Sequence, residues 1–238
     1  MLTAFGLVLV LAADMANLGD VMSLMGRHQE ARAALAKAMS IDAELVRRYP
    51  KTAQFSRIRF HRLLIGGRIF YLHGNYAQAL GYYQDAREIL IGMTTLDPKN
   101  QGSRLRLGVA YNGMGSALVR LNELDAASQA YQNALEVLSK TLDGGSPSQD
   151  AVYAAATAHA GVGEVAAARA VAASPNPAAR VARLRQALAS TDRSLELWQR
   201  VKEPGLTSPE GYPCKPLHEV KTQRAQINAE LAAIDAVR

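Results

Sequence analysis

A repeat of 48 residues constrains the fold of this chain more than any other feature of its sequence. The glycines that recur at this interval are Gly19, Gly67, Gly115 and Gly163. Twelve residues after the first three glycines come the alanines Ala31, Ala79 and Ala127. Self-similarity at a fixed period of about 20 to 50 residues indicates a repeat architecture, in which each unit buries its apolar face against its neighbours. We therefore expect an array of similar units rather than one irregular core.

The apolar spacing within a unit predicts two helices joined by a short turn. In the third unit, apolar side chains recur every three or four residues, first at Leu107, Tyr111, Met114 and Leu118 and then at Ala127, Tyr131, Ala134 and Leu138. Each set forms one stripe of an α-helix. The segment His73-Gly74-Asn75 is typical of a turn, because Gly and Asn suit the left-handed conformation that ends a helix. The glycine at Gly115 and its equivalents predict where the two helices cross, since a larger side chain there would push them apart.

The period also predicts the domain organisation. We expect a single all-α repeat domain over residues 1–238, with four hairpins at about 3–50, 51–98, 99–147 and 148–203 and a C-terminal loop and helix in 204–238. In the fourth unit an insertion, Ser174 to Leu184, displaces the second helix. The last helix, about His218 to Val237, is amphipathic and should cover the final hairpin, with Trp198 as a packing anchor.

Composition argues against most kinds of chemistry. Hydrophobic residues make up 49% of the chain, enough for a substantial core, and the net charge is a modest +6. The single cysteine, Cys214, excludes an internal disulfide framework and a multi-cysteine zinc site, and we expect a free thiol. None of the five histidines forms a pair with the i, i+4 spacing of a helical metal site, and no phosphate-binding or nucleophile motif is present. We predict no metal, no cofactor and no enzymatic activity.

The repeat resembles the tetratricopeptide repeat. The pattern of that family, Gly, then Ala, then an aromatic residue or Leu, then Ala, is met at Gly67, Ala79, Tyr83 and Ala86, and again at Gly115, Ala127, Tyr131 and Ala134. The usual repeat has about 34 residues, so these units are long. Such units, and the segment Ser194 to Asp235, resemble the tetratricopeptide arrays that follow the kinase domain of some bacterial serine/threonine protein kinases. The motifs of a kinase domain itself are missing from this chain.

The resemblance implies a right-handed α-solenoid whose first helices line a concave groove for a partner peptide or helix. By analogy with the family register, the groove residues are His61, Leu64, Arg68 and Tyr71 in the second unit and Asn112, Ser116 and Arg120 in the third. Arg68 and Arg120 could then pair with acidic groups of the partner. The protein is expected to be a cytoplasmic binding module or scaffold. The alternative for these seven residues is that they are only solvated side chains on exposed helix faces.

Three alternatives stay open at this point. The apolar segment Leu2 to Ala13 is too short to span a bilayer, but it could be a targeting segment of a membrane-tethered or exported assembly factor; otherwise it is a buried first helix. Arginine clusters such as Arg180, Arg183 and Arg185 could bind nucleic acid, although few aromatic residues accompany them. The C-terminal helix could mediate homo-oligomer formation.

Overall fold

The computed structural model describes residues 4–49, 53–143, 147–173, 176–201 and 215–236, apart from the side chains of 4–6 and 53–57. Within these ranges the regular structure is helical throughout, with nine α-helices and no strand. The all-α fold of helical hairpins is therefore confirmed. The chain divides into two compact units, Met1–Pro98 and Lys99–Arg238. That the repeats form a single domain stays a prediction.

Unit 1 contains two helical hairpins. Its helices are α1 (Ala4–Leu24), α2 (His28–Arg48), α3 (Ala53–Leu72) and α4 (Tyr76–Leu96). Helix α1 pairs with α2 and α3 with α4, and α3 also packs against both helices of the first hairpin. The first helix of the second repeat thus closes the apolar face of the first repeat.

Unit 2 contains two further hairpins and a final helix. Its helices are α5 (Gln101–Arg120), α6 (Leu124–Leu142), α7 (Gln149–Ala172), α8 (Pro177–Trp198) and α9 (Leu217–Asp235). Helix α7 packs against α5 and α6 of the preceding hairpin as well as against its own partner α8. The same arrangement of first helix on preceding hairpin therefore occurs in both units.

The turns inside the first three hairpins use one backbone conformation. Gly26, Gly74 and Asn122 all have positive φ, at 75°, 74° and 62°, and they lie 48 residues apart. Glycine adopts this left-handed region without a steric penalty, and asparagine tolerates it better than most residues. The turns predicted from Gly and Asn are confirmed.

The repeat glycines lie where the two helices of each hairpin cross. A Cβ at Gly19 would lie 2.9 Å from the carbonyl oxygen of Ala31, and one at Gly115 would lie 2.8 Å from the ring of Tyr131. Gly163 meets the hydroxyl of Thr191 in the same way. Equivalent glycines therefore occupy equivalent crossings, as the sequence predicts.

The insertion in the fourth repeat lengthens its helices. Ala187, Thr191 and Ser194 lie 60 residues after Ala127, Tyr131 and Ala134, twelve more than the period, and all three are fully buried. They take the places of those residues in the hairpin core. Much of the added length lies in helix, since α7 continues to Ala172 and α8 begins at Pro177.

Helix α9 covers the last hairpin, as predicted. Its buried residues are Val220 and Ile227, and Ile227 packs in one cluster with Ala166, Ala170 and Leu184 of the fourth hairpin. Trp198 is buried and packs edge-on against Tyr153 of α7, with 5.0 Å between the ring centroids. Cys214 and the rest of 202–214 lie outside the described residues.

Helix α1 is only partly buried. Ala12 and Ala16 are buried, but Leu7, Leu11 and Leu18 are more than half exposed. The prediction of a buried first helix therefore holds for one face of α1 and is wrong for the other. By length and composition alone, Leu7–Leu24 is the one stretch in the described ranges that could cross a membrane, with a mean hydropathy of 1.6 and 22% of the window buried.

Candidate functional site

The predicted contact residues on α3 fall into two groups. His61 and Tyr71 are half-buried, and both are held by other rings: His61 stacks on Phe60 with centroids 4.4 Å apart, and Tyr71 meets Tyr76 edge-on at 5.3 Å. Leu64, in contrast, is buried in the packing of unit 1. The two partly exposed side chains are thus ordered by neighbours before any partner binds.

Arg68 has an internal partner. Its side chain is buried in unit 1, and its guanidinium group forms an ion pair with Asp20 of α1. Burial lowers the pKa of Arg68, because the interior disfavours the charged form. An acidic group of a binding partner would have to displace Asp20, so the structure gives Arg68 a role in joining α3 to α1.

The predicted residues on α5 differ in the same way. Asn112 is buried and donates a hydrogen bond from Nδ2 to the carbonyl oxygen of Ala154 at 2.8 Å, which joins α5 to α7. Ser116 is half-buried, and its hydroxyl lies 3.1 Å from the hydroxyl of Tyr131. Arg120 is exposed in the last turn of α5, where a cation interacts favourably with the helix dipole.

The side chains that solvent reaches are therefore His61 and Tyr71 in unit 1 and Ser116 and, most fully, Arg120 in unit 2. Aromatic rings supply contact area, and arginine can bind carboxylates in a bidentate geometry. Leu64, Arg68 and Asn112 contribute to helix packing instead. That the complete set lines a binding groove stays a prediction.

The sequence interpretation missed a buried ion pair in unit 1. The guanidinium Nε of Arg62 lies 2.7 Å from Oδ2 of Asp42, and the two side chains are only 3% and 7% exposed. Burial raises the pKa of Asp42 to about 6, although Arg62 and Arg59 act in the opposite direction. One signal was available: Asp42 interrupts the apolar stripe of α2 that includes Leu35, Ala38 and Leu45.

Unit 2 contains a cavity of about 330 Å³ among α6, α7 and α8. Half of its lining residues are apolar, four leucines and Ala155, and the polar half is Ser139, Asp143, His159, Arg193 and Arg200. Burial and, to a smaller extent, the charge of Arg193 lower the pKa of His159 to about 4, so this imidazole is neutral at pH 7. The charged groups in the lining are the two guanidinium groups and the carboxylate of Asp143, so the cavity carries charges of both signs beside its apolar side chains.

No metal-binding cluster occurs in the part of the chain that the structure describes. Three or more His, Cys, Asp or Glu side chains do not come together anywhere in these ranges. His28 and His73 do meet, with ring centroids 3.9 Å apart, but the Nδ1 atom of His73 accepts a hydrogen bond from Arg32 at 3.1 Å.

Known proteins resemble this chain in its repeats. Residues 15–45 and 109–137 match the tetratricopeptide repeat family model. One matching segment lies in each compact unit, and each contains a repeat glycine and the alanine twelve residues later. No curated protein gives a significant match.

Among solved structures, the crystal structure of BtubC (BKLC) from P. vanneervenii is similar to this chain. The sequences are 14% identical, the match covers 98% of this chain and 88% of that one, and the TM-score is 0.50. At this identity the likeness concerns the fold alone. It agrees with the predicted class, an α-solenoid built from helical hairpins.

Proposed function

We propose that this protein is a non-catalytic protein-interaction module that binds a peptide or helix of a partner on the first helices of its repeats. Proteins built from tetratricopeptide repeats typically bind other proteins. The chain supplies several such hairpins, and two of its segments match the repeat model. The similarity of fold supports a binding function in general. The evidence for a particular binding site has to come from the side chains themselves.

The observation that carries the proposal is that two aromatic side chains on α3 are partly exposed and already held in place by neighbouring rings. His61 and Tyr71 are half-exposed, while the ring contacts with Phe60 and Tyr76 restrict their rotamers. An aromatic side chain that is already ordered loses little conformational entropy on binding, which favours affinity. In unit 2, the exposed Arg120 would favour an acidic segment of the partner.

The module is further proposed to be the regulatory part of a bacterial serine/threonine kinase. Its support is the resemblance of the long repeats and of Ser194 to Asp235 to the arrays of such kinases. A kinase domain encoded directly beside this chain would support the proposal. Its absence there, together with no change in activity when the chain is added to kinases of the same organism, would contradict it.

The binding site can be tested by selecting peptides of about 12 residues from a random library on the immobilised full chain. Affinities of the selected peptides are then measured by fluorescence anisotropy. Tyr71→Ala should weaken binding at least tenfold for peptides that bind unit 1, and Arg120→Ala should do so for peptides that bind unit 2, because truncation of an aromatic or arginine hot spot costs about 2 kcal/mol. Lys37→Ala on α2 and Arg185→Ala on α8 are matched exposed controls. Equal affinities for all four variants and the parent chain would refute the site.

A further inference from the structure

Helix α1 exposes an apolar face that we call its outer face. Its apolar side chains are each between 46% and 56% exposed: Leu7, Val10, Leu11, Leu18 and Val21. Their spacing of three or four residues places them on one side of the helix, and the exposed Asp14 lies in the middle of that side. Large apolar side chains grouped on one exposed face indicate an interaction surface.

In α7, whose preceding hairpin lies in the same unit, that hairpin packs on the equivalent face. Five of the six equivalent positions in α7 are at most 5% exposed, namely Ala151, Ala154, Ala155, Ala158 and Val165, and the sixth, Val162, is half-buried. The side chain of Asn112 in the preceding hairpin contacts this face through the carbonyl group of Ala154. In α3, the equivalents of Asp14 and Val21 are Arg62 and Ile69, and both are buried, whereas Arg59, the equivalent of Leu11, stays exposed beside the preceding hairpin. The outer face of α1 therefore has the position and periodicity of a surface that receives a helical hairpin.

Asp14 determines which charge a hairpin that packs on this face must present to it. Arg62, at the equivalent position in α3, forms its ion pair with Asp42 on the second helix of the preceding hairpin. A hairpin packed in the same way on α1 would place its own equivalent of Asp42 opposite Asp14. Since a buried carboxylate requires a compensating charge, that position must carry Arg or Lys.

The same carboxylate disfavours the other occupants of an apolar face. Two copies of the chain paired symmetrically through α1 would bring their Asp14 side chains into one interface of like charge. Insertion of α1 into a bilayer would bury both Asp14 and Asp20 in lipid, which is costly, and would break the ion pair between Asp20 and Arg68. A hairpin that carries a cation satisfies both the apolar side chains and the charge.

We propose that the outer face of α1 is a docking site for a helical hairpin of a partner protein, whose second helix presents an Arg or Lys to Asp14. This surface differs from the side chains on α3 and α5 discussed under the proposed function. Either proposal can therefore fail without the other.

The test uses the full chain with a tethered partner hairpin. A second copy of residues 3–50 is fused before residue 3, which preserves the 48-residue spacing, and the added copy carries Asp42→Arg. The tether gives the hairpin a high effective concentration at α1. Val21→Cys in the original repeat, with Cys214→Ser, reports access to the outer face through the rate of thiol labelling, because Ile69 and Val165 at the equivalent positions of α3 and α7 are both buried.

We expect the added hairpin with Asp42→Arg to slow labelling at Val21→Cys at least tenfold relative to the unextended chain. The matched control keeps Asp42 in the added copy and should protect the thiol less, and Asp14→Arg in that control should restore protection. Equal labelling rates in the three extended chains, or no protection in any of them, would overturn the proposal. So would protection of the unextended chain by self-association or by vesicles of neutral and anionic phospholipid.

Discussion

Replacing Gly161 with alanine should destabilise unit 2, although the same change in most helices is stabilising. Gly161 lies in α7, and a Cβ at this position would overlap the ring of Tyr131 in α6. That ring is only 2% exposed. It also touches the backbone of Gly115 in α5, where a Cβ would lie 2.8 Å from the ring. Glycines of two helices therefore pack against the tyrosine, and it has little room to move away.

The magnitude follows from two costs and one gain. Overpacking a core by one methyl group costs about 1–3 kcal/mol. The higher helix propensity of alanine returns about 1 kcal/mol. If the ring shifts, its hydroxyl also loses the hydrogen bond to Ser116, worth about 1 kcal/mol. We expect Gly161→Ala to lower the free energy of unfolding of unit 2 by about 2 kcal/mol.

Two variants separate the clash from the propensity of alanine. Gly92→Ala in α4 adds a methyl group where no atom lies within 4 Å, so it should raise stability by about 0.5–1 kcal/mol. Tyr131→Leu removes the ring that Gly161→Ala would meet. The double variant should therefore be more stable than the sum of the two single effects predicts, by at least about 1 kcal/mol.

The assay is urea unfolding followed by two signals. Trp198, the only tryptophan, is buried in unit 2 and reports that unit through its fluorescence, while far-UV circular dichroism reports both units. Gly161→Ala should shift the fluorescence transition to lower urea, and Gly92→Ala should leave it unchanged. A stabilising effect of Gly161→Ala, or additivity with Tyr131→Leu, would show that the ring is not confined.

Three further predictions concern titration and helix capping. The folded state lowers the pKa of His159 from 6.5 to about 4, so the unfolded chain binds this proton more tightly. The free energy of unfolding of unit 2 should therefore fall by up to about 2 kcal/mol between pH 6.5 and pH 4. His159→Gln should flatten this pH profile, which is measured through the fluorescence of Trp198. For Asp42 the pH dependence of stability has the opposite sign. Folding raises its pKa from 3.8 to about 6, so its contribution to stability is largest below pH 4 and is lost as the pH rises through 6. Asp42→Asn should remove this dependence from urea unfolding followed by circular dichroism. The hydroxyl of Ser148 accepts a hydrogen bond from the amide of Ala151 at 3.2 Å and caps α7, so Ser148→Ala should cost about 1 kcal/mol in urea unfolding and Ser148→Asp should retain stability.

The hairpins themselves could be predicted because their signals are local. Apolar spacing fixes which side of each helix is buried, and Gly26, Gly74 and Asn122 mark turns that require positive φ. The recurrence of Gly19, Gly115 and their equivalents identified the helix crossings, since only a small residue fits there. Even the final helix followed from its amphipathic pattern.

The candidate site was less predictable, because burial of a polar side chain depends on residues far away in the sequence. Arg68 looked available for a partner, yet Asp20, 48 residues earlier, neutralises it within unit 1. Asn112 likewise bonds to Ala154 of the next repeat. Neither contact has a local signature in the residues beside it.

For this protein, the sequence by itself determined the period, the helices and the positions of their close approach, since these follow from side-chain size and spacing along one helix. Only the tertiary structure decided which polar groups serve packing, which remain on the surface, and that α1 keeps an apolar face around Asp14. The physical reason is that a periodic pattern specifies which face of a helix is apolar. Whether that face is covered is set by the neighbour that packs against it.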